Sequence, residues 1–164
     1  MKINVSNAVN LSVFICRSCI AFDSNLQLYG LEKVKIVDIS RGDFQYAKNF
    51  TLLEFRGVET LILSDIKLQS TNYKTVEMSG WFQPVPNITH LDLSSNSLDS
   101  LNRGGFRYIQ KLQSLILRDN RFRDIPFDIP LTPRLSHLDL SKNAINEINS
   151  KQRNELDQIA HQIP

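Results

Sequence analysis

Three stretches of this chain carry the same pattern, and a repeat at fixed spacing constrains a fold more than any local propensity does. They are Ile88-Thr-His-Leu91-Asp-Leu93-Ser-Ser-Asn96-Ser-Leu98, Leu112-Gln-Ser-Leu115-Ile-Leu117-Arg-Asp-Asn120-Arg-Phe122 and Leu135-Ser-His-Leu138-Asp-Leu140-Ser-Lys-Asn143-Ala-Ile145. All follow LxxLxLxxNxL, with Ile or Phe replacing Leu at the ends. With the fourth position as anchor, Leu91 to Leu115 is a step of 24 residues and Leu115 to Leu138 a step of 23. A unit of this length is a short strand, a turn and a returning segment. It cannot bury its apolar face alone, so successive units stack and share one core.

Continued towards the N-terminus, the frame takes Leu11, Val34 and Leu61 as anchors, with steps of 23, 27 and 30 residues between the first four anchors. Cys16, Ile39 and Ile66 then stand at the asparagine position. The apolar positions are expected to point inward. Asn96, Asn120 and Asn143 are expected to satisfy backbone groups where the chain leaves each strand, with Cys16 continuing the same internal ladder. At about 4.8 Å per strand, the sheet would span roughly 25 Å.

The return after Asn96 reads Leu98-Asp-Ser-Leu101-Asn-Arg-Gly-Gly105-Phe106-Arg-Tyr-Ile109-Gln-Lys-Leu112. It resembles the LxxLxxxxFxxLxxL return of the 24-residue class of leucine-rich repeats. Asn120-Arg-Phe122-Arg-Asp-Ile125-Pro126 fits the same class. The resemblance is to leucine-rich-repeat ectodomains such as those of Toll-like receptors and related animal immune or adhesion proteins. It covers residues 8–160 and is strongest from 88 onward. It implies an α/β solenoid: a right-handed superhelix with a parallel concave sheet of about six strands and irregular or short-helical convex returns. It also implies a single domain over residues 1–164 that is a piece of a longer solenoid.

Composition narrows the partners. Lys and Arg total 19 against 17 acids, a formal charge of +2, so no basic excess exists to neutralise a nucleic-acid backbone. The apolar run Val13 to Ile20 is interrupted by Arg17 and Ser18, far short of the roughly 18 to 20 apolar residues of a membrane span. Arg17 and Asp23 also make this segment a poor signal peptide.

The resemblance implies four-cysteine caps at both ends, and this chain has only Cys16 and Cys19. Their CxxC spacing lacks the further ligands of a zinc site, and a structural role is expected, with a local disulfide or free thiols left open. At the other end, Ser150 either caps an amphipathic helix closing the solenoid with Leu156, Ile159 and Ile163, or Leu156 and Ile159 form the return of the sixth unit.

Four glycosylation sequons start at Asn4, Asn10, Asn49 and Asn87, where about two are expected by chance. The excess supports an extracellular or cell-surface setting, with a cytoplasmic one as the alternative. The stretch Trp81-Phe82-Gln-Pro84-Val-Pro86 falls in the longest unit and is expected to fill the convex side.

The His90/Asp92 pair recurs as His137/Asp139, but no nucleophile shares their rows. No enzyme activity, metal or other cofactor is expected. Alternation along each strand points its third, fifth and seventh positions outward. In this frame the candidate partner-binding residues of the concave face are Phe14, Lys33, Lys35, Val37, Ile62, His90, Asp92, Ile116, Arg118, His137 and Asp139, with Asn10 projecting from the same face. Apolar groups among scattered charges suit a protein or microbial ligand. The functions expected are recognition in innate immunity or cell adhesion, with an intracellular scaffold binding a protein partner as the alternative. Homo- or heterodimer formation is left open.

Overall fold

Apolar residues alternating with polar ones over a few positions favour strands, and a turn after each strand sets the next one beside it. The computed structural model describes residues 2–4, 10–19, 27–43, 55–68, 82–101, 105–126 and 132–160. Its strands are β1 (Lys2–Asn4), β2 (Val13–Ile15), β3 (Gln27–Tyr29), β4 (Ile36–Asp38), β5 (Thr60–Ile62), β6 (His90–Asp92), β7 (Ser114–Ile116) and β8 (His137–Asp139). One helix, α1 (Ser150–Ala160), follows them. β2, β4, β5, β6, β7 and β8 form one six-stranded sheet in chain order, every pairing parallel. These are successive coils of a solenoid. β1 and β3 pair in a second, two-stranded parallel sheet that the repeat pattern does not announce.

The register corrects the N-terminal frame. Phe14, Val37, Leu61, Leu91, Leu115 and Leu138 stand side by side, so the first two anchors are Phe14 and Val37, not Leu11 and Val34. The steps become 23, 24, 30, 24 and 23 residues, and a single unit is long. The physical reason is the three-residue spacing inside LxxL. Val34-Lys-Ile36-Val37-Asp-Ile39 fits either frame, and burial decides between them. Val37 and Ile39 are buried while Ile36 is 38% exposed.

Two independent features follow the corrected frame. Ser18, Arg41, Asp65, Ser95, Asp119 and Lys142, each four residues after its anchor, all have φ between 51° and 58°. This left-handed residue turns the chain off the strand in every coil. Ahead of the strands, the amides of Val34, Val58, Ile88, Leu112 and Leu135 donate to the carbonyls of Leu31, Phe55, Val85, Ile109 and Thr132, the same three-residue turn each time. Gly57 lies in one of these turns. A Cβ there would come within 2.3 Å of the Glu32 carbonyl oxygen in the coil before, so the close approach of two backbones requires glycine.

The inward positions merge into one core running from Leu31 to Leu135, in which Phe55, Phe82, Phe106 and Phe122 are the largest fully buried side chains. Phe82 and Phe106 stack with centroids 6.2 Å apart. Phe82 and Val85 therefore fill the return side, while Trp81 lies outside the described residues.

At the C-terminal end both sequence alternatives hold in part. The helix forms, and it lies in the return of the sixth coil, where the Gln152 amide donates to Asp124 of the coil before at 3.0 Å. Its cap is Asn149 rather than Ser150. The Asn149 Oδ1 accepts from the Gln152 amide and Gln152 Oε1 from the Asn149 amide, both at 2.9 Å, which is a reciprocal capping box. Leu156 packs on the core; the Ile159 side chain and Ile163 lie outside the described residues.

Candidate binding face

The turns that position this face are held from inside. Asn96 Oδ1 accepts from the amides of Ile66 and Leu68, and its Nδ2 donates to the carbonyls of Leu63, Leu93 and Ser94 at 2.9–3.0 Å. Asn120 repeats the scheme on Leu98, Leu93 and Leu117, and Asn143 repeats it on Phe122, Leu117 and Leu140. Each asparagine thus ties its own turn to the coil before, where the sequence places it. The equivalent position in the first coil is Cys19, not Cys16, and the two cysteines are joined in a disulfide. The ladder position of the first coil thus lies three residues beyond Cys16, the same offset as the anchors.

On the open side of the sheet the register lines up three rows. The first is Val13, Ile36, Thr60, His90, Ser114 and His137; the second is Ile15, Asp38, Ile62, Asp92, Ile116 and Asp139. The third, two residues on, is Arg17, Ser40, Ser64, Ser94, Arg118 and Ser141. The second row alternates isoleucine and aspartate without exception. Its three aspartates accept the amide of the serine two residues on, at 3.0 Å for Asp38, 2.8 Å for Asp92 and 2.9 Å for Asp139.

Of the expected face residues, Ile62, His90, Asp92, Ile116, Arg118, His137 and Asp139 share these rows. Four others do not. Val37 is buried and Phe14 packs half-buried on the core, its ring 5.8 Å from that of Phe55. Lys33 falls in the turn before the strand, and Lys35 stands just ahead of β4, paired with Glu59 at 2.7 Å. In their place the face presents Val13, Ile15 and Ile36, at 39%, 56% and 38% exposure. The signal for this was in the sequence: Val37-Asp38-Ile39-Ser40 has the form of Leu91-Asp92-Leu93-Ser94.

Electrostatics differ along the face. Burial pushes the Asp38 carboxyl up, but hydrogen bonds from the Ser40 hydroxyl and amide and from the Arg17 guanidinium, 2.6 Å away, outweigh it and hold the group below its ordinary range. Hydrogen bonds from Ser141 hold Asp139 low as well, aided by the nearby charges of Arg118 and His137. Arg118 also donates to the Ser141 hydroxyl at 3.0 Å. The Thr89 hydroxyl donates to the Glu59 carbonyl and so accepts from His90 Nδ1, which fixes the ring of exposed His90.

The sequons are also relocated. Asn10 sits in the turn before the first strand of the main sheet, exposed, at the place Asn87 holds before β6. Asn87 accepts from Lys111 at 2.7 Å. Asn4 lies in β1, and Asn49 is outside the described residues. A groove of about 580 Å³ on the return side is lined by Leu101, Phe122, Ile125 and Pro126 with Arg121 and Arg123, away from these rows. Among the described residues no three of His, Cys, Asp and Glu gather as a metal site would require, and no helix is long and apolar enough to cross a membrane.

The family profile described as leucine rich repeat matches residues 56–122. That match falls on the coils whose ladder, turns and register have just been described. Residues 56–122 are leucine-rich repeats, and the coils on either side continue the same solenoid. The chain resembles, at 14% identity and a TM-score of 0.58, an internalin from Listeria monocytogenes over 98% of its own length and 48% of the other. It resembles TLR13 in its complex with ssRNA13 at 20% identity and a TM-score of 0.58, over 95% and 29%. A leucine-rich-repeat protein of Leptospira interrogans aligns at 16% identity and a TM-score of 0.54, over 98% and 50%. The repeat chain thus spans half or less of each of these structures, and the likeness is one of fold. No curated protein matches it in sequence. Leucine-rich repeats of this fold are binding modules.

Proposed function

We propose that this chain is a non-catalytic recognition module that takes a protein or microbial ligand on the open face of the sheet, and that it works outside the cell in immune recognition or adhesion. The observation that carries the proposal is the face itself. Exposed Val13, Ile15 and Ile36 lie in continuous rows with His90, Asp92, Arg118, His137 and Asp139, so apolar area for affinity adjoins charges for specificity. The Cys16–Cys19 disulfide and the two sequons in equivalent turns support an oxidising, secretory setting.

The test is retention of proteins from extracellular fluid on the immobilised chain, compared with Ile15→Asp, Ile36→Asp and, away from the rows, Ile148→Asp. A partner released by the first two changes and kept by the third is the expected result. Retention indifferent to Ile15 and Ile36 contradicts the proposal. In parallel, a mass shift on glycosidase treatment that maps to Asn10 or Asn87 is expected of the native product; an unmodified chain with reduced cysteines favours the intracellular scaffold.

A further inference from the structure

We propose that the open face recognises a segment in the polyproline II conformation that carries a cationic side chain at every third residue. Asp92 and Asp139 anchor two such cations, and Ile116 makes the apolar contact between them. The proposal deepens the recognition reading above and rests on it.

The first argument is a duplication. β6 presents His90, Asp92 and Ser94, and β8 presents His137, Asp139 and Ser141; the register sets each member in line with its counterpart, with β7 between. Two equal sets, displaced by two strands, fit a ligand that itself repeats. The displacement is about 9.6 Å. A polyproline II helix brings the same side round every three residues, or about 9.3 Å. An extended strand does so at about 6.7 Å and an α-helix at about 5.4 Å, and neither matches.

The second argument is what this aspartate takes when a cation is within reach. Asp38 is the third member of the set, with the same serine-amide bond on Oδ1, and its Oδ2 accepts from the Arg17 guanidinium at 2.6 Å. Asp92 and Asp139 are half-exposed, and among the described residues no lysine or arginine lies within ion-pair distance of either. The fold thus shows a guanidinium on one copy of the site; at Asp92 the equivalent place holds Ser64, and at Asp139 it holds Arg118, which donates to the Ser141 hydroxyl and leaves the carboxylate outside ion-pair distance. Arg118 and His137 are the charged groups beside Asp139, and Arg118 is engaged with the Ser141 hydroxyl. Ile116, half-buried between the two carboxylates, suits a prolyl ring.

The experiment is calorimetric titration of the full chain with synthetic proline-rich peptides bearing arginine at every third residue, and with controls of equal composition bearing it at every second or every fourth. The every-third peptide is expected to bind about tenfold more tightly than either control. Asp92→Asn and Asp139→Asn, which keep the acceptor for the serine amide, are each expected to weaken it about fivefold with the fold retained by circular dichroism, and Arg118→Ala to tighten it about twofold by removing a like charge. Equal binding at all spacings, with hydrogen-exchange protection on the open face, overturns the proposal and leaves the recognition reading in place. Protection elsewhere overturns both. No binding of any peptide overturns the proposal alone, because the Ile15 and Ile36 variants test the broader reading separately.

Discussion

In the coils of β6, β7 and β8 an asparagine ties each turn to the coil before it, whereas in those of β2 and β4 the same place is taken by Cys19 and Gly42. The coil of β5 stands between, with Ile66 buried at that position and served by Asn96 from the next coil. The N-terminal coils lack that tie: the disulfide closes the first turn within its own coil, and between coils Arg17 reaches Asp38 across the sheet and the Asp43 amide donates to the Cys19 carbonyl. The face changes with the fastening. It is apolar over β2 and β4, where Val13, Ile15 and Ile36 stand out, and polar over β6 and β8. One register can therefore be held by two kinds of chemistry. What the register requires everywhere is the apolar inward row and the left-handed residue four places on.

The comparison can be broken most severely at the asparagines. Asn120→Ala leaves the Leu98 amide without its partner and takes from the Leu93 and Leu117 carbonyls one of the two asparagine donors each has, Asn96 and Asn143 supplying the others. It is expected to cost about 2 kcal/mol in urea unfolding, with Asn96→Ala, which strips the Ile66 and Leu68 amides, at least as much. Asn143, half-exposed in the last described strand-bearing coil, is expected to cost about 1 kcal/mol. A loss as small at Asn120 as at Asn143 would mean that the ladder does not hold the coils together.

Gly57→Ala strikes the junction between the two regions. With the Glu32 carbonyl 2.3 Å from the added Cβ, a backbone must shift, and about 2 kcal/mol is expected in thermal unfolding. Cys16→Ser with Cys19→Ser closes no ring of four residues, and about 1–2 kcal/mol is the expected loss. Hydrogen exchange should then rise over residues 10–19 and 36–43 and stay unchanged around β7; a rise spread evenly over both regions would show that the effect is not local.

The smallest effect is that of acid on Asp38. Its carboxyl is lower in the folded chain than in the unfolded one, so its contribution is present above the ordinary carboxylate pKa and is lost as pH falls below about 4. Asp38→Asn is expected to flatten the stability curve in that window only, as read from Tm against pH.

The C-terminal coils were legible because LxxLxLxxN marks its own frame, with Asn96, Asn120 and Asn143 as fixed points. The N-terminal coils lack that mark, and the three-residue spacing of LxxL let Leu11 and Val34 pass for anchors. With the frame went the face: Val37 and Phe14 belong to the core side, and Val13, Ile15 and Ile36 to the solvent side. The capping box on α1 was missed for a related reason, since Asn149 and Ser150 are both good caps and only the reciprocal bond with Gln152 distinguishes them. The pairing of β1 with β3 follows from stacking rather than from any local pattern.

The register between β4 and β5 carries the whole account, because it decides which N-terminal residues form the open face. Ile36 and Thr60 are neighbours in that register, whereas the frame anchored on Val34 would set Lys33 beside Thr60. Cysteines introduced in pairs, followed by mild oxidation and peptide mapping, separate the two. Ile36→Cys with Thr60→Cys is expected to join readily and Lys33→Cys with Thr60→Cys not to join. The opposite result would contradict the register, and with it the face proposed for recognition.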